Sequence, residues 1–381
     1  MVAAGIAVFA TLYVPQPLLP MLAADLGVPA ERAVWSISVA ILGLAVGLLP
    51  AAWLSDAIGR VRVMTFSLWT AALLGLAVAA VNDWHLLLAL RGLQGLALAG
   101  LPAAAVAYLR EETHPSGNAR AVGLYVAGTA VGGMSGRLLS GVLADLAGWR
   151  AAFVGVGVLG LVAAAACTWL LPRARGFVPV PLRPRTAVAG VLAALRDPVQ
   201  LALFGIATTL MGAFVAFYNA LGYRLEGSPY LLSATAIGLV YLAYAAGSAG
   251  SASVGAAADR WGRRPVMPLA VLVAAAGAAV SGFSSLAVVV AGTVVLTIGF
   301  FAAHGLASGW VAARAHATGA ATAQAAALYS VAYYAGATVP GALGPVAFVH
   351  GGWTEVLLLV GGLLAAAALL SLALRRTRPA A

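Results

Sequence analysis

Between two apolar runs the chain reads Ala258-Asp259-Arg260-Trp261-Gly262-Arg263-Arg264. Aligned on its aspartate 203 residues earlier stands Leu54-Ser55-Asp56-Ala57-Ile58-Gly59-Arg60-Val61-Arg62. A link this short between antiparallel helices needs a residue that accepts unusual backbone dihedrals, and Gly59 and Gly262 supply it. The aspartate before each glycine can accept from a neighbouring helix N-terminus or pair with an arginine. A second landmark, Gly148-Trp149, recurs as Gly352-Trp353 at an offset of 204. Two landmarks at nearly one offset predict a duplicated chain of two diverged halves.

Composition says what those halves are made of. Of 381 residues, 63% are hydrophobic and 8% charged, and the mean hydropathy is +1.00. Soluble domains carry about a quarter charged residues, so most of this surface needs a bilayer as its solvent. Twelve apolar runs lie at about 2–24, 33–55, 63–82, 85–109, 121–144, 149–172, 199–222, 232–256, 265–283, 286–312, 322–349 and 353–374. Each suffices for a span of roughly 20 residues. The expectation is an all-α membrane protein of twelve transmembrane helices in two six-helix bundles. These are 1–172 and 199–381, the latter ending in a short cytoplasmic tail, joined by a cytoplasmic linker at 173–198. The first run opens at Met1 with neither a basic region nor a release site, the pattern of a retained span.

All 21 basic residues are arginine, and sixteen of them fall in loops on one side against three, Arg32, Arg150 and Arg224, on the other. This bias places both termini in the cytoplasm. It also reads the +10 charge as a topology signal rather than a nucleic-acid face. Trp35, Trp84, Trp149 and Trp353 stand near the opposite ends, as interfacial anchors or packing residues. In the linker, Pro179, Pro181 and Pro184 deny a continuous long helix, and its five arginines favour the anionic inner leaflet. The single Cys167 excludes disulfides and cysteine metal sites. His85, His114, His304, His316 and His350 are too scattered for a catalytic cluster. No phosphate-binding loop is present. Neither enzyme activity nor a cofactor or metal is expected, and any transport must run on gradients.

These residues resemble the major facilitator superfamily over essentially the whole length. Its loop signature G-x-x-x-D-R-x-G-R-R is complete at Gly255, Asp259, Arg260, Gly262, Arg263 and Arg264. In the first half Asp56, Gly59 and Arg60 match, while Ala52, Ala57 and Val61 depart, which implies a weaker latch there. Leu87-Leu88-Ala89-Leu90-Arg91-Gly92-Leu93-Gln94-Gly95 is similar to the fourth-span signature that carries the arginine of proton-coupled members. Gly128 to Arg137 is glycine-rich like the antiporter signature but lacks its Gly-Pro pair. The stretches Tyr13 to Pro20, Gly133 to Asp145 and Gly299 to Trp310 resemble the arabinose-efflux-like inner-membrane branch.

A charge at bilayer depth normally faces a cavity or a partner. Arg91 and Arg137 lie at comparable depth on adjacent spans; they invite a shared anionic substrate, a carboxylate or separate snorkelling routes. The eleven acids all fall near span ends, which leaves Asp25, Glu355 or His304 as a titratable coupling group, or none at all. The resemblance implies that spans 1, 4, 7 and 10 line the cavity. That selects Tyr13, Gln16, Arg91, Gln94, Tyr108, Tyr218, Asn219 and His304, with Tyr241, Tyr244, Tyr333 and Tyr334 secondary. Asp56, Gly59, Arg60, Gly255, Asp259, Arg260, Gly262 and Arg263 are the expected gating residues. Gly128, Gly132 and Gly136 form a small-residue face for close helix approach.

The reading that follows is a secondary active transporter of a small organic solute across the cytoplasmic membrane by alternating access. It is coupled to protons as efflux by antiport, surrounded by membrane lipids, and expected to be monomeric. Proton symport or facilitated uptake is the alternative. A non-transporting receptor or scaffold is a remote second class.

Overall fold

The computed structural model describes residues 1–114, 118–172, 184–318 and 322–375, whose regular structure is helical, with no strand among them. In chain order the helices are α1 (Val2–Tyr13), α2 (Leu19–Asp25), α3 (Trp35–Ile58), α4 (Arg60–Ala79), α5 (Trp84–Leu98), α6 (Gly100–Glu112) and α7 (Asn118–Leu170). They continue as α8 (Pro184–Arg196), α9 (Pro198–Glu226), α10 (Ala234–Val240), α11 (Tyr244–Trp261), α12 (Arg263–Val280), α13 (Leu286–Ala317) and α14 (Thr322–Arg375). Among the described residues nine helical stretches are long and apolar enough to cross a membrane. The linker residues 173–183, with Arg173, Arg175 and Arg183, and the tail with Arg376 and Arg378 lie outside the described residues.

The repeated glycines mark the architecture. Gly59 (φ 110°) ends α3 and Gly262 (φ 82°) ends α11, each turning the chain directly into the next helix. Gly148 (φ 80°) and Gly352 (φ 64°) break α7 and α14, and a tryptophan follows each break. A side chain is strained at positive φ, so these four turns require glycine. The two breaks split runs that would otherwise be 53 and 54 residues of helix.

Large apolar side chains are exposed along the helices, among them Phe66 at 71% and Trp169 at 81%. Water would penalise such faces at about 25 cal/mol per Å², whereas lipid tails cover them without cost. The interior holds small residues, large side chains such as Phe153, Phe217 and Tyr218, and scattered polar groups. The described part of the linker contains a helix that the sequence pattern did not announce. Pro184 occupies its first position, where a missing N–H costs nothing, and it stops short of Pro198.

Two compact units emerge. The first comprises Met1–Leu182 with Leu225–Leu242, the second Arg183–Arg224 with Ala243–Ala381. In the first, the Gly128, Gly132 and Gly136 face of α7 lies on the backbone of α1. An added Cβ at Gly128 would stand 2.9 Å from the Val2 carbonyl oxygen, and those at Gly132 and Gly136 would strike Ile6 and Ala10. In the second, Gly336 of α14, 204 residues after Gly132, meets the backbone of Thr208 on α9, and Gly344 meets Ala216. Packing as well as sequence is thus repeated between the units.

Candidate functional site

Arg91 is two turns into α5, about 10 Å along its axis, and its side chain is fully buried. Its Nε donates to the Ser36 carbonyl at 2.8 Å, and its terminal nitrogens donate to the carbonyls of Thr11 (3.1 Å) and Leu12 (2.8 Å) and to Gln94 Oε1. Gln94 Nε2 in turn donates to the Ala71 carbonyl at 2.8 Å. The guanidinium also lies 5.8 Å from the Phe153 ring centre. Arg91 therefore ties α1, α3 and α5 together through backbone acceptors, with no carboxylate among its partners in the described residues. The carbonyls of Thr11 and Leu12 are offered because α1 ends at Tyr13, leaving its last carbonyls without intrahelical donors.

Arg137 forms a second, separate cluster. Its Nε donates to Gln16 Oε1 at 2.5 Å, and it also donates to the Gly133 carbonyl. The guanidinium lies over the Tyr13 ring at 4.1 Å and over Tyr241 at 5.7 Å. All four side chains are buried. The two arginines thus have separate sets of carbonyl, amide and aromatic partners. Gln16 reaches Arg137 because the chain leaves α1 into a short 3-10 turn at Gln16–Leu18, which swings the amide inward.

The expected gating residues separate by half. In the first unit Arg60 donates to Ser55 Oγ (2.9 Å), to Asp56 and to Glu111 (2.9 Å). Glu111, at the end of α6, was missed because its partner lies 51 residues away. At the matching turn Asp259, Arg260, Gly262 and Arg263 are exposed, and no ion pair joins them among the described residues. Gly255 lies within α11. The turn with the degenerate signature holds an ion cluster, while in the second unit the ion pair among the described residues is Arg314–Asp197 at 2.8 Å. The corresponding end of α13, Arg314-Ala315-His316, offers no carboxylate.

The first unit carries another contact that local sequence spacing does not reveal. Asp145 on α7 accepts from the backbone N–H groups of Ala234 (3.1 Å) and Thr235 (2.8 Å). It thereby caps α10 with negative charge where the helix dipole favours it. Gly141 and Gly238 sit in the same α7–α10 contact, where a Cβ on either would press on the opposing backbone.

In the second unit Tyr218 shares a hydrogen bond with Thr297 at 2.8 Å, and Asn219 Nδ2 donates to the Gly341 carbonyl at 3.1 Å. Both side chains are fully buried. Tyr108, in the first unit, donates to the Pro172 carbonyl at 3.2 Å. His304 is half-buried; its Nδ1 lies 2.8 Å from the Tyr329 hydroxyl, and its ring stands 4.6 Å from Tyr333. Phe214, Tyr218, Tyr244, Phe300 and Phe301 continue this aromatic cluster. Tyr329 was readable in principle, since it precedes Tyr333 by one helical turn. No group of three or more His, Cys, Asp or Glu side chains suited to a metal occurs among the described residues.

Comparison with known proteins gives a consistent picture. The sequence profile of the Major Facilitator Superfamily matches residues 1–246. The Escherichia coli (strain K12) inner membrane transport protein YnfM is 40% identical over 353 residues, covering 93% of this chain and 84% of that protein. An uncharacterized MFS-type transporter, YybF of Bacillus subtilis (strain 168), is 36% identical over 342 residues, covering 90% of this chain and 84% of that one. In fold the chain is similar to a bacterial homolog of the human lysosomal transporter Spinster, solved inward-facing and occupied. The TM-score is 0.82 at 16% identity, covering 99% of this chain and 96% of the other.

Proposed function

The chain belongs to the Major Facilitator Superfamily, and from that premise we propose that it exports a small organic solute across the cytoplasmic membrane in exchange for protons. It is a multi-pass inner-membrane protein and a secondary active transporter that moves a small solute by alternating access, not an enzyme.

The observation that carries the proposal is the pair of fully buried guanidinium groups, Arg91 and Arg137, in a chain with only 8% charged residues. A charge at the centre of a span costs at least about 2.5 kcal/mol on insertion scales. Two such groups, backed by Gln94 and Gln16, make a polar route that lipid-facing packing would not need. Arg91 holds the broken end of α1 in place; Arg137 with Tyr13, Gln16 and Tyr241 forms the anion-favouring wall. Tyr218, Asn219 and His304 supply hydrogen bonds in the other half, and His304 is the group offered for the coupled proton.

The layout follows. We read each broken helix as two spans and Ala234–Trp261 as one, for twelve spans in halves 1–172 and 199–381 about the linker. Both termini lie in the cytoplasm. Asp56, Gly59 and Arg60, with Gly255, Asp259, Arg260, Gly262 and Arg263, form the inner gates as the halves rock around the solute. The transporter works as a monomer, within the arabinose-efflux-like branch.

The test is proton movement in proteoliposomes loaded with a pH-sensitive dye. Antiport predicts that an outward-directed solute gradient drives protons inward. Proton flow in the same direction as the solute would assign symport, and solute flow without protons would assign facilitated diffusion; either overturns the antiport reading.

A further inference from the structure

Two helices of the second unit each present a pair of rings one helical turn apart: Phe300 and His304 on α13, Tyr329 and Tyr333 on α14. Spacing of four puts each pair on one face, and the faces meet. The His304 ring is 5.6 Å from Tyr329, 4.6 Å from Tyr333 and 5.9 Å from Phe300, the last almost parallel at 4°. Phe300 stacks on Phe214 at 3.9 Å, so the platform is backed by further rings. Tyr329 and Phe300 are buried, whereas His304 and Tyr333 are half-buried.

The hydrogen bonds of His304 decide what it offers there. The Tyr329 hydroxyl lies 2.8 Å from Nδ1 and 3.3 Å from the His304 carbonyl oxygen. A carbonyl only accepts, and a tyrosine has one proton. Both contacts are satisfied only when Tyr329 donates to the carbonyl and Nδ1–H donates to the Tyr329 oxygen. In the neutral ring that fixes the tautomer and leaves Nε2 as a bare acceptor. Among the described residues Nε2 has no hydrogen-bond partner, and it is not one of the fully buried side-chain atoms left without one.

We propose that the solute is a hydroxyaromatic molecule whose ring stacks beside Tyr333 and whose phenolic O–H donates to His304 Nε2. This rests on the transporter reading above and names the substrate class. An offset or tilted ring contact suits the quadrupoles of such faces. A polyhydroxyl sugar fits poorly, since this face is nearly all ring and would leave most hydroxyls without partners. A site that accepts from one O–H rejects an otherwise equal ring without it, because that ring would cover the acceptor and leave it unpaired.

Binding of neutral probes to the purified full chain, followed by ligand-observed NMR, tests this. 4-Hydroxybenzyl alcohol should bind at least about tenfold tighter than benzyl alcohol or 4-methoxybenzyl alcohol, as expected for one well-formed hydrogen bond. The preference should vanish in His304→Phe. If that variant does not fold, Tyr329→Phe gives the second readout, since releasing the tautomer should cut the preference several-fold. Equal binding of the three alcohols overturns the proposal, as does a preference for the methoxy probe or one that survives in the folded variants. Tighter binding of D-xylose or benzylamine overturns it too. If none of the probes binds while proteoliposomes carry another solute, only the phenol assignment fails. If proteoliposomes carry no solute at all, the transporter reading fails.

Discussion

The guanidinium of Arg137 lies 4.1 Å from the centre of the Tyr13 ring, while its Nε donates to Gln16 three residues further along the chain. One side chain therefore grips both sides of the point where α1 gives way to its 3-10 turn. A lysine can supply charge to the ring but lacks the planar fork that also reaches the amide. Arg137→Lys should reduce transport at least about tenfold in vesicles while leaving expression and helix content unchanged. Transport at the native rate would remove Arg137 from the mechanism.

The glycine contacts separate into close and open ones. Gly132→Val should lower detergent-solubilised stability by several kcal/mol, beyond the 1–3 kcal/mol typical of overpacked cores, because its Cβ would overlap the Ile6 backbone. Gly361 faces open space within α14, so Gly361→Ala should stabilise by about 0.5–1 kcal/mol through helix propensity. Thermal unfolding of the two variants side by side checks both signs.

Asp145 holds the first two amides of α10. Asp145→Ala leaves them without that acceptor, and amide hydrogen exchange over residues 233–237 should accelerate by about tenfold or more. Exchange near Asp25, whose carboxylate accepts from Trp149 and Arg150 at 2.8 Å each, should stay unchanged. A global increase in exchange would instead mean that Asp145 supports the whole unit.

At the charged turns, a double-mutant cycle between Arg60 and Glu111 should return a coupling of no more than about 1 kcal/mol, because both carboxylates around Arg60 are partly exposed and solvent-screened. The equivalent cycle between Asp259 and Arg263 should return none. Coupling at the second turn equal to that at the first would erase the asymmetry between the halves.

Much of the fold is legible in the sequence because backbone demands leave a mark on residue type. Gly59, Gly148, Gly262 and Gly352 stand out as repeat landmarks from their spacing alone, and each has the positive φ that explains its recurrence. The stripe at Gly128, Gly132 and Gly136 likewise announces a close helix contact. What stays hidden depends on distant partners. Glu111 is 51 residues from Arg60, and Asp145 is 90 from Thr235, so local spacing carries no trace of either pairing. The α8 helix is obscured by its own prolines, which bound it rather than break it. Arg91 and Arg137 are visible as intramembrane charges, but their separate acceptors depend on how α1 ends.

Alternating access itself is tested by which side of the membrane reaches Tyr333. It stands 11 residues into α14, about 17 Å along the axis, and the proposed layout puts it near the middle of the span. In a Cys167→Ser, Tyr333→Cys chain, a membrane-impermeant thiol reagent should label the new cysteine both in right-side-out and in inside-out vesicles. Labelling from one side only, under every gradient applied, would contradict the account.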